Sequence, residues 1–222
     1  MTDAFGRRSR ATLAAGLRAT AFGIAMMTVG IAAQKPTAPP LPTPDIHYVP
    51  TSSGVADAML KLAKVTADDV VCDLGSGDGR IVIQAAKKYG AKGVGVELDG
   101  ELVKEARKNA MKAGVSDKVT FLQGDLFKTD LSQFTVVTLY LSNSINMRLR
   151  SLLQTQLKPG SRVVSHRFEM GDWKPDATIR LEGTSVYLWT IRGSATEQRR
   201  PETQRRLSLF AKTSSLLAMT RI

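Results

Sequence analysis

The chain has 222 residues, of which 43% are hydrophobic and 23% charged, a composition typical of one globular domain with a substantial core. Its formal net charge is +11, but residues 1–33 carry four Arg and one Asp (+3) and residues 192–222 carry six Arg, one Lys and two Glu (+5), which leaves +3 for the middle. This distribution argues against a specific nucleic-acid-binding face, and the single cysteine, Cys72, excludes an intramolecular disulfide and a cysteine-based zinc site.

The first 33 residues have the order of a targeting signal. Three arginines, Arg7, Arg8 and Arg10, precede a mostly apolar stretch over 19–33 that ends in small residues. This stretch is shorter than the roughly 20 residues that a membrane-spanning helix needs, so we expect a cleaved signal peptide or a short anchor. A twin-arginine signal and an Arg-rich mitochondrial presequence are the alternatives. A signal or anchor predicts an exported or membrane-associated protein.

A proline-rich linker over 34–45 is predicted to precede a folded domain over 46–192. In that domain, helical and strand patterns alternate. Helices are predicted over 54–65, 80–90, 99–113 and 145–157, and strands over 69–74, 92–98, 118–124, 134–141 and 161–168. Because parallel strands need crossover connections, this order predicts a doubly wound α/β fold with a mainly parallel sheet.

The domain is predicted to end in a β-hairpin. Strands over 178–181 and 185–191 flank a short turn containing Gly183, and a hairpin can pair only antiparallel. The sheet is therefore expected to have seven strands, with a C-terminal antiparallel hairpin. Residues 193–222 are basic and lack strand alternation, which predicts a largely disordered tail; an arm that binds a membrane or partner is the alternative.

The glycine-rich loop after the first strand, "DLGSGDGR", lies where open α/β sheets bind ligands. Gly75 and Gly77 allow the backbone to approach a ligand closely, but a dinucleotide motif would have a third glycine where this chain has Arg80. The charge of Asp73, at the strand end, would oppose a pyrophosphate. A carboxylate there suits a ligand with an ammonium and a sulfonium, which favours S-adenosylmethionine over NAD.

Two further acids follow the next two strands. Glu97 is placed to accept hydrogen bonds from ribose hydroxyls, which supports a nucleoside without choosing between cofactors. Asp125 is placed to meet an adenine amino group, with Leu98 and Leu126 packing on the base. Each acid alone could be a solvated loop residue or a helix cap, but acids after three successive strands predict a cofactor site.

These motifs resemble the signatures of class I (seven-strand) S-adenosylmethionine-dependent methyltransferases, which implies a Rossmann-like methyltransferase fold. "YVPT", the stretch over 73–98 and "SHRFEMGDWKPD" are further similar to the small family of mitochondrial lysine methyltransferases acting on ATP synthase subunit c and adenine nucleotide translocase, with its bacterial relatives. The resemblance covers about residues 48–191. It implies S-adenosyl-L-methionine as cofactor, Tyr48 and Thr51 closing over it, and a protein lysine, such as one of a membrane protein, as methyl acceptor.

The acceptor is expected beside the end of the fourth strand, in "YLSNSIN". Enzymes that methylate adenine amino groups or glutamine amides resemble one another in an acidic or Asn residue followed by Pro-Pro-aromatic at this point. The absence of proline here counts against nucleobase amines. Tyr140 and Asn143 are the candidates to touch the acceptor; a core aromatic and a capping Asn are the alternatives. His166, which ends the fifth strand, is placed to orient the acceptor or take its proton, or is structural.

The sequence therefore predicts a methyltransferase acting on a protein lysine. The alternatives are a small-molecule methyltransferase and a non-catalytic domain that binds S-adenosylmethionine. The acids are scattered and do not indicate a metal site. Export of the domain would conflict with the cytosolic supply of the cofactor.

Overall fold

The computed structural model describes residues 48–193, and the structural statements below concern that range. The predictions for the signal-like segment over 1–33, the linker over 34–45 and the tail beyond residue 193 lie outside it. Within the described range no helix combines the length and the apolar character needed to cross a membrane.

Seven strands form one sheet. They are β1 (Val70–Leu74), β2 (Lys92–Glu97), β3 (Val119–Gln123), β4 (Val136–Leu139), β5 (Arg162–His166), β6 (Ala177–Leu181) and β7 (Thr184–Thr190). The order across the sheet is β3-β2-β1-β4-β5-β7-β6. Strands β1 to β5 pair in parallel, and β7 runs antiparallel to both β5 and β6. The predicted mainly parallel sheet with a closing hairpin is confirmed.

Four helices connect or flank the strands: α1 (Ser53–Leu62), α2 (Arg80–Tyr89), α3 (Gly100–Ala113) and α4 (Asn143–Gln156). The side chain of Ser52 caps α1, as its position predicts, by accepting a hydrogen bond from the Val55 amide at 3.1 Å. Helix α4 begins two residues before its predicted start because Ser142 caps it. The sequence patterns did not predict the 3₁₀ helix over Leu126–Lys128.

Helices cover both faces of the sheet. On one face α4 packs Leu149 and Leu153 over a cluster that includes Cys72, Leu74 and Trp189. On the other face α1, α2 and α3 cover the remaining apolar residues of the strands. Cys72 is buried, as its apolar neighbours predict.

Strand β1 lies between β2 and β4, which is where the strand order reverses. The connections from β1 and β4 consequently leave the sheet in opposite directions, and a crevice opens at the carboxyl ends of these strands.

Candidate active site

A cavity of about 520 Å³ opens at the carboxyl ends of β1, β2 and β4, a volume in the range of small-molecule sites. Nine of the twelve predicted site residues line it: Tyr48, Thr51, Asp73, Gly75, Glu97, Leu98, Asp125, Leu126 and Tyr140. The other three, Gly77, Asn143 and His166, lie outside the lining. The sheet thus brings together residues that are up to 92 positions apart in the chain.

Three glycines of the loop are closely packed, and a Cβ atom on Gly75 would lie 2.7 Å from Cδ2 of Leu141. A Cβ atom on Gly77 would lie 2.2 Å from Cε2 of Tyr48, so the Tyr48 ring covers this glycine and separates it from the cavity. A Cβ atom on Gly79 would lie 2.6 Å from the ring of Phe121 on β3. Close packing of the helix, which the third glycine of a dinucleotide motif provides, is therefore achieved by Gly79, one position before Arg80.

Asp73 presents a buried carboxyl group at the cavity wall. The residue is only 3% exposed, and within the described range its carboxylate has one hydrogen-bond partner, the Thr138 hydroxyl at 2.6 Å. Burial, with the nearby charges of Glu97 and Asp78, raises the pKa of Asp73 to about 7. A buried carboxyl group with one hydroxyl partner fits a ligand that brings an ammonium group.

Glu97 holds the loops around the cavity together. One carboxylate oxygen accepts a hydrogen bond from the Gly77 amide at 2.8 Å, and the other accepts from the amides of Leu98 and Asp99 at 2.8 and 3.0 Å. A carboxylate offers about four acceptor positions, so about one remains for a ribose hydroxyl. Backbone amides of the protein itself therefore use most of the acceptor capacity of Glu97, and little is left for ribose hydroxyls.

Asp125 caps a helix, which is one of the alternatives for an isolated acid, and it also lies at the cavity where a base-binding residue is expected. Its Oδ1 accepts a hydrogen bond from the Phe127 amide at 2.9 Å, which caps the 3₁₀ helix, and the residue also lines the cavity. Leu98 and Leu126 line the same part of the cavity wall. These side chains could flank a flat base and meet its polar edge.

Tyr140 lines the cavity on the side where the acceptor is expected, and its ring lies 3.9 Å from the His166 ring and 6.3 Å from the Phe168 ring, centroid to centroid. His166 is buried behind Tyr140, and burial, together with the charge of Arg167, lowers the pKa of the imidazole. Asn143 is exposed as the first residue of α4. Tyr140 thus lies on the cavity wall, with His166 packed against it, whereas Asn143 does not line the cavity.

Helix α4 contributes two cavity residues that were not among the predicted site residues. Ile145 and Arg148 line the cavity one helical turn apart, and the Arg148 guanidinium lies 4.0 Å from the centroid of the Phe127 ring. Deeper in the fold, the Asn146 amide donates to the Ser165 hydroxyl at 3.1 Å and the Phe168 carbonyl at 3.2 Å. The i, i+3 spacing of Ile145 and Arg148 was the available signal.

Residues 48–193 contain no group of three or more His, Cys, Asp or Glu side chains placed to hold a metal ion.

Known proteins similar in sequence to this chain are methyltransferases. The ANTKMT methyltransferase domain family matches residues 73–177. A protein-lysine N-methyltransferase from Saccharolobus islandicus (strain REY15A) is 45% identical over 153 residues, which cover 67% of this chain and 95% of that protein. The chain belongs to this methyltransferase family. The enzyme class and the family predicted from the motifs are thereby confirmed.

Two further relatives extend the comparison. The mouse adenine nucleotide translocase lysine N-methyltransferase is 37% identical over 150 residues, covering 67% of this methyltransferase and 65% of the mouse protein. The solved structure of an RNA methyltransferase from Salinibacter ruber with S-adenosyl-L-homocysteine is 58% identical, with a TM-score of 0.65, covering 69% of this chain and 97% of that one. The predicted cofactor, S-adenosyl-L-methionine, is confirmed.

Proposed function

We propose that this enzyme transfers the methyl group of S-adenosylmethionine to the side-chain amine of a protein lysine. The observation that carries the proposal is the 45% identity to a protein-lysine N-methyltransferase over 95% of that relative's length. The mouse relative, which by its name acts on adenine nucleotide translocase, supports the same class of acceptor. The missing Pro-Pro-aromatic sequence after β4 is consistent with an acceptor other than a nucleobase amine.

The cofactor would be held by residues from three successive strand ends. Asp73 would bind its amino group and Glu97 would accept from a ribose hydroxyl, while Asp125 would accept from the adenine amino group. Leu98 and Leu126 would flank the base. When bound, the cofactor supplies a methyl group already activated by its attachment to a positively charged sulfur.

The residues on the acceptor side would position the amine and exclude water. Methyl transfer is an in-line displacement, so the protein has mainly to align a neutral nucleophile. Tyr140 would form the wall against which the amine is oriented, and the neutral imidazole of His166 would hold the Tyr140 ring in place. A lysine that loses its proton before docking needs no strong base at this position.

RNA is the second candidate acceptor, because the Salinibacter ruber protein, 58% identical to this chain, is described as an RNA methyltransferase. The test is to incubate the enzyme with ³H-methyl-labelled S-adenosylmethionine and a cell extract. Protease-sensitive label that mass spectrometry locates on lysine would support the proposal. Label that is removed by ribonuclease would favour RNA, and label soluble in organic solvent would favour a small-molecule acceptor. Cofactor binding without any transfer would indicate a non-catalytic domain.

We further propose that the segment over 1–33 associates the enzyme with a membrane. The arginines ahead of an apolar stretch support this proposal. Cell fractionation, with sequencing of the mature N-terminus, tests it: a full-length chain found only in the soluble fraction would contradict it.

A further inference from the structure

Arg80 makes more contacts around the cavity than its place in the glycine motif suggests. Its Nε donates to Asp78 Oδ1 at 2.9 Å and its Nη2 donates to Asp78 Oδ2 at 2.6 Å. This two-point pairing fixes the plane of the guanidinium, which lysine could not do. Burial alone would raise the pKa of Asp78, but the hydrogen bonds and charge of Arg80 bring it below its usual value. Both residues are therefore charged and oriented at neutral pH.

The same guanidinium holds the segment before α1. Its Nη1 donates to the Thr51 carbonyl at 2.8 Å, and its Nη2 lies 3.4 Å from the Tyr48 hydroxyl. We call residues 48–51 the strap, because Tyr48 and Thr51 line the cavity while Tyr48 also covers Gly77. Tyr48 is 43% exposed, so packing on Gly77 leaves much of the side chain in solvent. The links to Arg80 are consequently important for holding the strap over the cavity.

The far end of the strap reaches the acceptor side. Thr51 is buried, and its hydroxyl lies 3.3 Å from Nδ1 of His166. The His166 ring in turn packs against Tyr140. A continuous set of contacts therefore leads from the glycine loop, through Arg80 and the strap, to Tyr140, which is expected to contact the acceptor.

We propose that Arg80 is a positioning residue that latches the strap across the cavity, so that a bound cofactor is retained and the Tyr140 ring is held in place on the cavity wall. The inference rests on the proposed function, because it assumes that the cofactor occupies this cavity. In this proposal the strap exchanges between a latched and an open state. That exchange couples the cofactor side of the cavity to the acceptor side. Opening of the strap releases S-adenosylhomocysteine, the product formed from the cofactor. Latching of the strap aligns Thr51 with His166.

The test compares Arg80→Ala and Arg80→Lys with the wild type. The dissociation rate of S-adenosylhomocysteine is measured by stopped flow, its dissociation constant by calorimetry, and KM for the cofactor and kcat by methyl transfer. For Arg80→Ala we expect on the order of 10- to 100-fold faster dissociation, the range for losing a hydrogen bond to a charged group. We expect KM for the cofactor to rise more than kcat falls, and Arg80→Lys to lie in between.

Arg107→Ala is the matched control, because Arg107 donates to the Phe121 carbonyl at 2.7 Å and does not line the cavity. It should dissociate S-adenosylhomocysteine at the wild-type rate. A wild-type dissociation rate in folded Arg80→Ala would overturn the inference and leave the proposed function intact. If Arg80→Ala does not fold, a wild-type rate in Arg80→Lys overturns it equally. Failure of the wild-type protein to bind S-adenosylhomocysteine would overturn the proposed function, and this inference with it.

Discussion

Asp73→Asn should make the empty enzyme more stable at pH 8 while weakening its hold on the cofactor. Asn keeps the shape of the side chain and can still accept the hydrogen bond that the Thr138 hydroxyl gives at 2.6 Å. It removes the charge, which the buried environment disfavours, and replaces one accepting oxygen with an amide NH2 group. The substitution therefore separates the cost of the carboxylate in the folded protein from its value to the ligand.

The size of the effect follows from the pKa of Asp73, which the fold raises from 3.8 to about 7. When the pKa of a group is higher in the folded state than in the unfolded state, the free energy of unfolding falls as the pH rises from the unfolded-state pKa to the folded-state pKa. A pKa difference of one unit between the folded and unfolded states corresponds to about 1.4 kcal/mol. Ionised Asp73 should thus lower the free energy of unfolding by up to about 4 kcal/mol at pH 8. Near pH 4 the advantage of Asn should fall below about 1 kcal/mol.

The assay is urea unfolding of the two ligand-free proteins at pH 4 and pH 8, together with calorimetric titration of S-adenosylhomocysteine. At pH 8 the variant should unfold at higher urea concentration and bind the ligand on the order of 100-fold more weakly. For the wild type the dissociation constant should rise about 50-fold from pH 7 to pH 5, as the ionised fraction of Asp73 falls. A variant that is less stable at pH 8, or that binds as tightly as the wild type, would refute the reasoning.

Four further substitutions test the site and the core. Gly77→Ala should weaken S-adenosylhomocysteine binding more than about tenfold by calorimetry, since a Cβ 2.2 Å from Tyr48 Cε2 displaces that ring, and unchanged affinity would contradict this contact. Glu97→Gln should lower both the melting temperature and the affinity, because the carboxylate accepts three backbone hydrogen bonds; only a variant with both unchanged would disprove its role. His166→Gln should reduce kcat for acceptor methylation more than it weakens S-adenosylhomocysteine binding, whereas wild-type turnover would make the imidazole purely structural. Leu149→Ala, in the core under α4, should cost about 2–5 kcal/mol in urea unfolding, and a loss below 1 kcal/mol would be inconsistent with its complete burial.

Much of the architecture follows from local patterns in the chain. Apolar runs with glycine or capping residues at their ends identified seven strands and four helices, and crossover geometry then favoured a parallel sheet. Gly90 and Gly114 end α2 and α3 in the left-handed conformation, as their positions after the helical patterns predict. These signals depend on only a few neighbouring residues, so they can be recognised without knowing which elements pack together.

The predicted cofactor residues converged for a related reason. In a parallel sheet every strand ends at the same edge, so acids that follow successive strands must lie near one another. Asp73, Glu97 and Asp125 accordingly line one cavity. Their individual contacts with the cofactor stay predictions, and the hydrogen bonds that Glu97 already accepts limit what it can offer a ribose.

The sequence by itself determined the order of the elements, the mainly parallel sheet and the set of acids at one edge, because periodicity and chain direction are local properties. Only the tertiary structure decided which neighbours of β4 face the cavity, since helix α4 turns Ile145 and Arg148 inward and leaves Asn143 exposed. It also decided the raised pKa of Asp73 and the links from Arg80 to the strap. Burial and contacts between distant residues exist only once the chain has folded, so a pattern within a short stretch of sequence does not predict them.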